Sequence, residues 1–215
     1  YLDTCYEEGI YVGYRYFTTF GKKAAYPFGY GLSYTSFVMK QDEIVFDGER
    51  LEMKVLVENT GKVSGKEVVQ VYVGKPETEL EQPEKELVFF EKTKELHPGE
   101  TQCIFVSVPV DVMTSYSEAK AAYIFSKGTY AVYVGNSVEA AQCGSFEQKE
   151  TRVIRQVKGL LACRKDFTVL SKKAPQDTWP TGNHSGVVGD KTTFLPYQER
   201  LHYPVKSDNA EICGK

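Results

Sequence analysis

Tyr14-Arg15-Tyr16 combines flat aromatic faces with a forked set of hydrogen-bond donors. Aromatic rings stack on sugar faces and a guanidinium donates to hydroxyls, so Tyr14, Arg15 and Tyr16 are candidates for a substrate-binding face. They can equally anchor their segment to a neighbouring domain, and that plainer reading carries more weight. Asp3, Glu7 and Glu8 bring carboxylates close in sequence, the residue type that acid–base chemistry needs. Solvation or the capping of a short helix accounts for them more simply, and no catalytic residue is assigned. Tyr26, Phe28, Tyr30 and Tyr34, spaced by Gly29 and Gly31, form either an aromatic binding platform or a connector wedged between domains.

Other chemistry finds no support. His97 stands before Pro98-Gly99 in a turn, while His184 and His202 lack the Cys or carboxylate spacing of a metal site. Gly29-Tyr30-Gly31 is followed by no Lys-Ser/Thr, so it is not a phosphate loop. Ser33 sits between Leu32 and Tyr34, outside any Gly-x-Ser-x-Gly elbow. Neither a metal nor a cofactor is expected. The cysteines, at 5, 103, 143, 163 and 213, form no CxxC pair and are odd in number. They read as reduced thiols, which suits a cytoplasmic setting. A net charge of −3 over 215 residues argues against a nucleic-acid partner. No apolar run reaches the ~18–20 residues of a membrane-spanning helix, and no signal-peptide pattern opens the chain. The first residue is Tyr1 rather than Met, so a lost leader or a cut from a longer chain is expected.

The elements that must position these residues divide the chain into three parts. Residues 1–35 are rich in aromatics and glycine but poor in aliphatic side chains, which predicts a strap lying on another surface, with a short helix or turn near Glu7–Tyr16. Residues 36–146 carry short β runs at regular spacing. Leu51–Val57 alternates apolar and charged residues; Val68–Val73, Leu87–Lys92, Thr101–Val108 and Gly128–Gly135 follow, with shorter runs at Phe37–Lys40 and Ala122–Phe125. Asn59-Thr60-Gly61 and Pro98-Gly99 read as turn devices, and Glu77–Lys85 as a solvated polar loop. Seven or so strands predict an all-β chain built on an immunoglobulin-like sandwich. Residues 147–215 read as an extended arm: Thr151–Ala162 suits helix or strand, and the Pro/Gly-rich remainder carries Trp179, Phe194, Leu195 and Tyr197.

Several ordered stretches resemble family 3 glycoside hydrolases. Glu8–Phe17 followed by Tyr26–Phe37 looks like the end of that family's α/β sandwich domain. Val57–Gly61, Gly65–Val73, Lys85-Glu86-Leu87 with Phe90-Glu91-Lys92, Leu96–Glu100 and Gly128-Thr129-Tyr130 resemble its fibronectin type III-like domain. The resemblance implies that residues 1–35 are the tail of one domain and a connector, which favours the connector reading of Tyr26–Tyr34. It implies that 36–146 form the fibronectin type III-like sandwich, and that 147–215 run toward a missing catalytic domain, as in members of permuted order. The family's retaining chemistry needs a barrel aspartate and a sandwich glutamate set ~5 Å apart, and neither can be placed here. The expected function is therefore structural support within a β-glucosidase or related exo-glycosidase, with its catalytic domains as partners. The 77–85 loop can reach the rim where a β-glucoside enters. The rival expectation is a carbohydrate-binding or protein-interaction module.

Overall fold

The computed structural model describes residues 6–159 and 168–173. The alternation read from the sequence sets the first layer. Along β3 (Arg50–Asn59), Leu51, Met53, Val55, Val57 and Asn59 are buried while their neighbours face outward. β1 (Phe37–Gln41) and β2 (Val45–Phe46) pair in succession with one edge of β3. β6 (Thr101–Pro109) runs antiparallel along the other, setting Ile104 opposite Val55 and Val106 opposite Met53. This register puts the apolar residues of both strands on one face.

The facing sheet has the order β10-β9-β4-β5, all antiparallel, from β4 (Val68–Gly74), β5 (Glu86–Lys92), β9 (Gly128–Gly135) and β10 (Gln142–Gln148). Val69, Val71 and Val73 join Leu51, Val55, Ile104 and Val132 in one core. The two sheets form the expected sandwich. At one end of the core Tyr130 stacks on Phe146 at 5.0 Å and lies 4.7 Å from Phe125, and its hydroxyl donates to the Ser126 carbonyl. A tyrosine hydroxyl bonded to the backbone just upstream of its strand is a recurring corner of such sandwiches.

A smaller third sheet joins β7 (Ser115–Ser117), β8 (Ala122–Phe125) and β11 (Arg152–Gln156). Thr151–Ala162, open between helix and strand, thus contributes a strand as far as Gln156, and its residues from 160 onward lie outside the described ones. The arm expected from residue 147 is corrected accordingly. β10 continues to Gln148, whose buried side chain donates to the Glu150 carbonyl, and β11 pairs with β8. β11 covers the edge of β8 that β7 leaves open. Where a short helix or turn was expected near Glu7–Tyr16, turns at residues 7–10 lead into a short helix, α1 (Tyr14–Thr19). Gly9 and Gly13 both take positive φ, so residues before Tyr14 form turns.

Asn59 was read as a turn residue and is more than that. It is fully buried, donating from Nδ2 to the carbonyls of Val63 and Leu96, both at 2.8 Å. Its Oδ1 accepts from the Thr35 hydroxyl and the Gly61 N–H, at 2.7 and 3.0 Å. One amide thus joins the end of the strap to two loops, the one carrying Gly61 and Val63 and the one carrying Leu96. Replacing Asn59 with Leu leaves several buried groups without partners and lowers unfolding stability by about 2–4 kcal/mol. Urea denaturation of Asn59→Leu beside Thr60→Ala checks this, with the exposed Thr60 variant expected within about 0.5 kcal/mol of the parent.

Candidate functional site

β4 is buried on both faces, and its second face leads to the strap. Gln70 and Tyr72 point away from the valine core, and the Tyr72 hydroxyl donates to the Gln70 side-chain carbonyl. Tyr14 lies over Tyr72 edge-on at 5.9 Å, with Phe28 5.0 Å from Tyr14. The Tyr14 hydroxyl accepts the Leu87 N–H at 2.8 Å. Arg15 pairs with Glu86 at 3.1 Å, and Glu86 also pairs with Lys75. The Lys75 ammonium donates to the Thr114 carbonyl and the Ser115 hydroxyl. Burial holds the Lys75 pKa below its usual range even though Glu86 opposes the shift. Tyr16 turns elsewhere, against Phe17 and Phe20 at 5.5 and 5.2 Å.

Of the three candidates, Tyr14 borders a cleft of about 670 Å³ between α1 and Tyr26–Tyr30, and Arg15 and Tyr16 do not. Tyr14 and Arg15 are committed to the sandwich by the bonds above. The connector is seated just as closely. The Val138 N–H donates to the Phe28 carbonyl at 2.9 Å. Gly29, at φ +87°, has room for no Cβ, which would come within 2.6 Å of Gln70 Nε2 and 2.8 Å of Ser137 Cα.

The 77–85 loop departs from the expectation of a solvated loop. Gln82 and Lys85 are buried. Gln82 accepts from the Ser115 hydroxyl at 2.9 Å, and Lys85 donates to the carbonyls of Val138 and Ala140 while lying 4.3 Å over the Tyr133 ring. A second cleft, about 820 Å³, opens between this loop and residues 114–120. At its margin Tyr11, fully buried, donates to Glu81 at 2.9 Å, and the Ser171 hydroxyl donates to the same carboxylate. Burial raises the Tyr11 pKa, and the bond to Glu81 adds to the shift. For Glu81, burial pushes upward, but bonds from Ser171, Tyr11 and the N–H groups of Lys173 and Lys172 outweigh it and hold the carboxyl below its usual range.

The remaining sequence candidates stay apart from these clefts. His97 Nδ1 lies 2.7 Å from the Ser64 hydroxyl in an exposed turn. Cys103 is exposed, and Cys143 is half-buried with its thiol pKa raised by burial. No group of three His, Cys, Asp or Glu among the described residues could hold a metal. Asp3, His184, His202, Cys5, Cys163 and Cys213 lie outside the described residues. No helix among those residues is long and apolar enough to cross a membrane.

Residues 67–138 match the family model of the fibronectin type III-like domain. A β-glucosidase of Ruminococcus albus is 40% identical over 168 residues, 73% of this chain and 17% of its own. The structure of β-glucosidase 3B from Thermotoga neapolitana, solved with α-D-glucose, aligns at TM-score 0.65 and 43% identity, over 68% of this chain and 20% of that one. The chain carries the fibronectin type III-like domain of family 3 glycoside hydrolases. A β-glucosidase from Paenibacillus barengoltzii contains a similar domain, at TM-score 0.70 and 39% identity over 73% of this chain and 19% of that one. The chain thus spans about a fifth of the length of the relatives it matches, and in them the domain sits within a larger β-glucosidase.

Two outcomes test the strap. Gly29→Ala forces either the connector or the Asn136–Ser137 turn to move, lowering stability by about 1–3 kcal/mol and speeding hydrogen exchange at Val138. Acidification tests Glu81. A carboxyl whose folded pKa is lowered contributes stability above its unfolded pKa and loses it as pH falls through the folded one. Titrating the protein downward past the ordinary glutamate range should therefore free residues 168–173, read as a falling protection factor at the Leu170 amide relative to its intrinsic rate at each pH, before the sheets unfold.

Proposed function

We propose that this domain is a non-catalytic structural part of a β-glucosidase-type enzyme, holding catalytic domains in register through the strap and the residues after β11. The observation that carries this reading is the two-sided nature of the strap. One side is locked to β4 and β5 by Tyr14, Arg15 and Gly29, while Tyr26, Leu32 and Tyr34 stand 73%, 91% and 100% exposed. Large apolar groups left in water along one segment mark a surface that another body covers. Three of the four glutamates that line the larger cleft, all but Glu118, are engaged in ion pairs or hydrogen bonds, which supports the non-catalytic reading. Glu79 pairs with Lys120, Glu86 with Arg15 and Lys75, and Glu81 accepts from Tyr11 and Ser171. Groups so committed are poor acids or nucleophiles for a sugar.

A second reading rests on Tyr26 and Tyr30, whose exposed rings lie 5.1 Å apart and could stack on a sugar. Titration with cello-oligosaccharides, followed by tyrosine fluorescence, separates the two. A saturable change abolished by Tyr30→Ala favours sugar binding.

The structural reading predicts no turnover of an aryl β-glucoside by the 215-residue chain, and turnover by the native polypeptide that contains it. Peptide mass spectrometry of source cells, with the assay on both forms, checks this. Activity in the chain alone, or a native product no longer than the chain, sinks the reading.

A further inference from the structure

The outward face of the third sheet carries two rings and a guanidinium in one register row. Tyr116 on β7 stands opposite Tyr123 on β8, and Tyr123 stands opposite Arg155 on β11. The rings lie 5.3 Å apart, and the Arg155 guanidinium rests 4.1 Å over the Tyr123 ring. Tyr123 is therefore capped, while Tyr116 stays 42% exposed where it lines the cleft of about 820 Å³. Glu118 and Lys120 follow in the β7–β8 turn and line the same cleft. Lys120 pairs with Glu79 at 3.0 Å, whereas the Glu118 carboxylate takes no bond from any described residue. The turn is held by β11 and the residue after it. The Gln156 side chain donates to the carbonyls of Lys120 and Ala121 at 2.8 and 3.0 Å, and the Val157 N–H donates to the Ala121 carbonyl at 2.9 Å. Ala121 takes φ +46°, a left-handed conformation that is costly for alanine and that these bonds over-determine. Tyr6, Ile10 and Leu170 also line the cleft, and the Leu170 N–H donates to the Glu7 carbonyl at 2.7 Å.

We propose that Tyr116, Glu118 and Lys120 form a binding site for a neutral, hydroxyl-rich ring, a pyranose unit of a β-linked gluco-oligosaccharide. The uncapped Tyr116 ring supplies a flat apolar face. A β-glucoside is the pyranoside whose ring substituents are all equatorial, so it presents flat C–H faces to match. The groups beside the ring carry both signs of charge. An acid would meet Glu118 and Glu79, and an amine would meet the Lys120 ammonium. A hydroxyl both donates and accepts, and satisfies all three. The over-determined turn sets these side chains before the ligand arrives, so less ordering opposes binding. At about 820 Å³ the cleft is in the range that holds ligands of more than one ring. The site does not depend on the structural role proposed above, and it is separate from Tyr26 and Tyr30, which line the other cleft.

Titration of the 215-residue chain with cellotetraose, followed by nuclear magnetic resonance at the amides of Ser117, Lys120 and Tyr123, tests the site. Saturable shifts are expected at those amides. Tyr116→Ala should raise the Kd by about tenfold, the effect of losing one stacked ring. Tyr116→Phe keeps the ring and should bind as the parent does. Glu118→Gln, in an exposed turn where it cannot unfold the sheets, should raise the Kd by about threefold by turning a charge-assisted bond into a neutral one. The Tyr130 amide, inside the sandwich, reports folding and should keep its shift in every variant. Maltotetraose, whose α-links set one substituent axial on each ring, should bind more weakly, and tetragalacturonate and a chitosan tetramer should bind more weakly still. No saturable shift at the three amides overturns the site. So does a Kd unchanged in both Tyr116→Ala and Glu118→Gln. Tighter binding of either charged tetramer than of cellotetraose overturns the choice of a neutral ligand. Shifts that survive Tyr116→Ala but vanish in Tyr30→Ala put the sugar in the other cleft and overturn this one.

Discussion

Burial of β4 on both faces is the constraint from which most of the structure follows. A strand with valines on one side and water on the other needs one layer of cover. Here the second face presents Gln70 and Tyr72, and both are buried as well. Polar groups taken out of water need partners. The Tyr72 hydroxyl therefore turns to Gln70, and the Gln70 amide donates to the Asn136 carbonyl. Those bonds fix the floor on which Tyr14, Phe28 and Gly29 settle. The strap is thus a third layer over the sandwich, held by shape at Gly29 and by polar bonds at Leu87 and Glu86.

The ion pairs at the strap are unequal in what they do. Arg15 and Glu86 are partly open to water, where an ion pair contributes little. Lys75 is almost wholly enclosed, and burying its charge is costly unless every donor is met. Glu86, the Thr114 carbonyl and the Ser115 hydroxyl meet that need. The interaction consequently specifies how the 75–86 loop lies against residues 114–117 more than it adds stability. Arg15, reaching the same carboxylate, brings α1 into that arrangement.

Much of the sandwich was legible in the sequence because period-2 burial is a local signal. Leu51–Val57, Val68–Val73 and Gly128–Gly135 show it plainly, and the all-β expectation held. β10 was not singled out as a strand, since Gln142-Cys143-Gly144-Ser145 offers little apolar alternation at the edge of a sheet. β11 was ambiguous for a related reason: Val153 faces outward and Arg155 lies over the Tyr123 ring, with a bulge between them. The strap's role as a covering layer was legible from its composition, but its partners were not. Tyr14 to Leu87 and Arg15 to Glu86 are separated by about seventy residues, and no spacing rule joins them. Asn59 and Glu81 were hidden similarly. One resembled an ordinary turn asparagine and the other a solvated loop acid, until the fold brought their partners together.

The meeting of Glu7 with Leu170 gives the domain the geometry of a cassette. Glu7 and Leu170 lie side by side, so the body between them could be set into a loop of a larger protein without prising that loop apart. The same closeness makes the order of flanking domains along the gene a weak constraint on their arrangement in space. A segment joined near Glu7 and one joined near Leu170 would start from nearly the same spot.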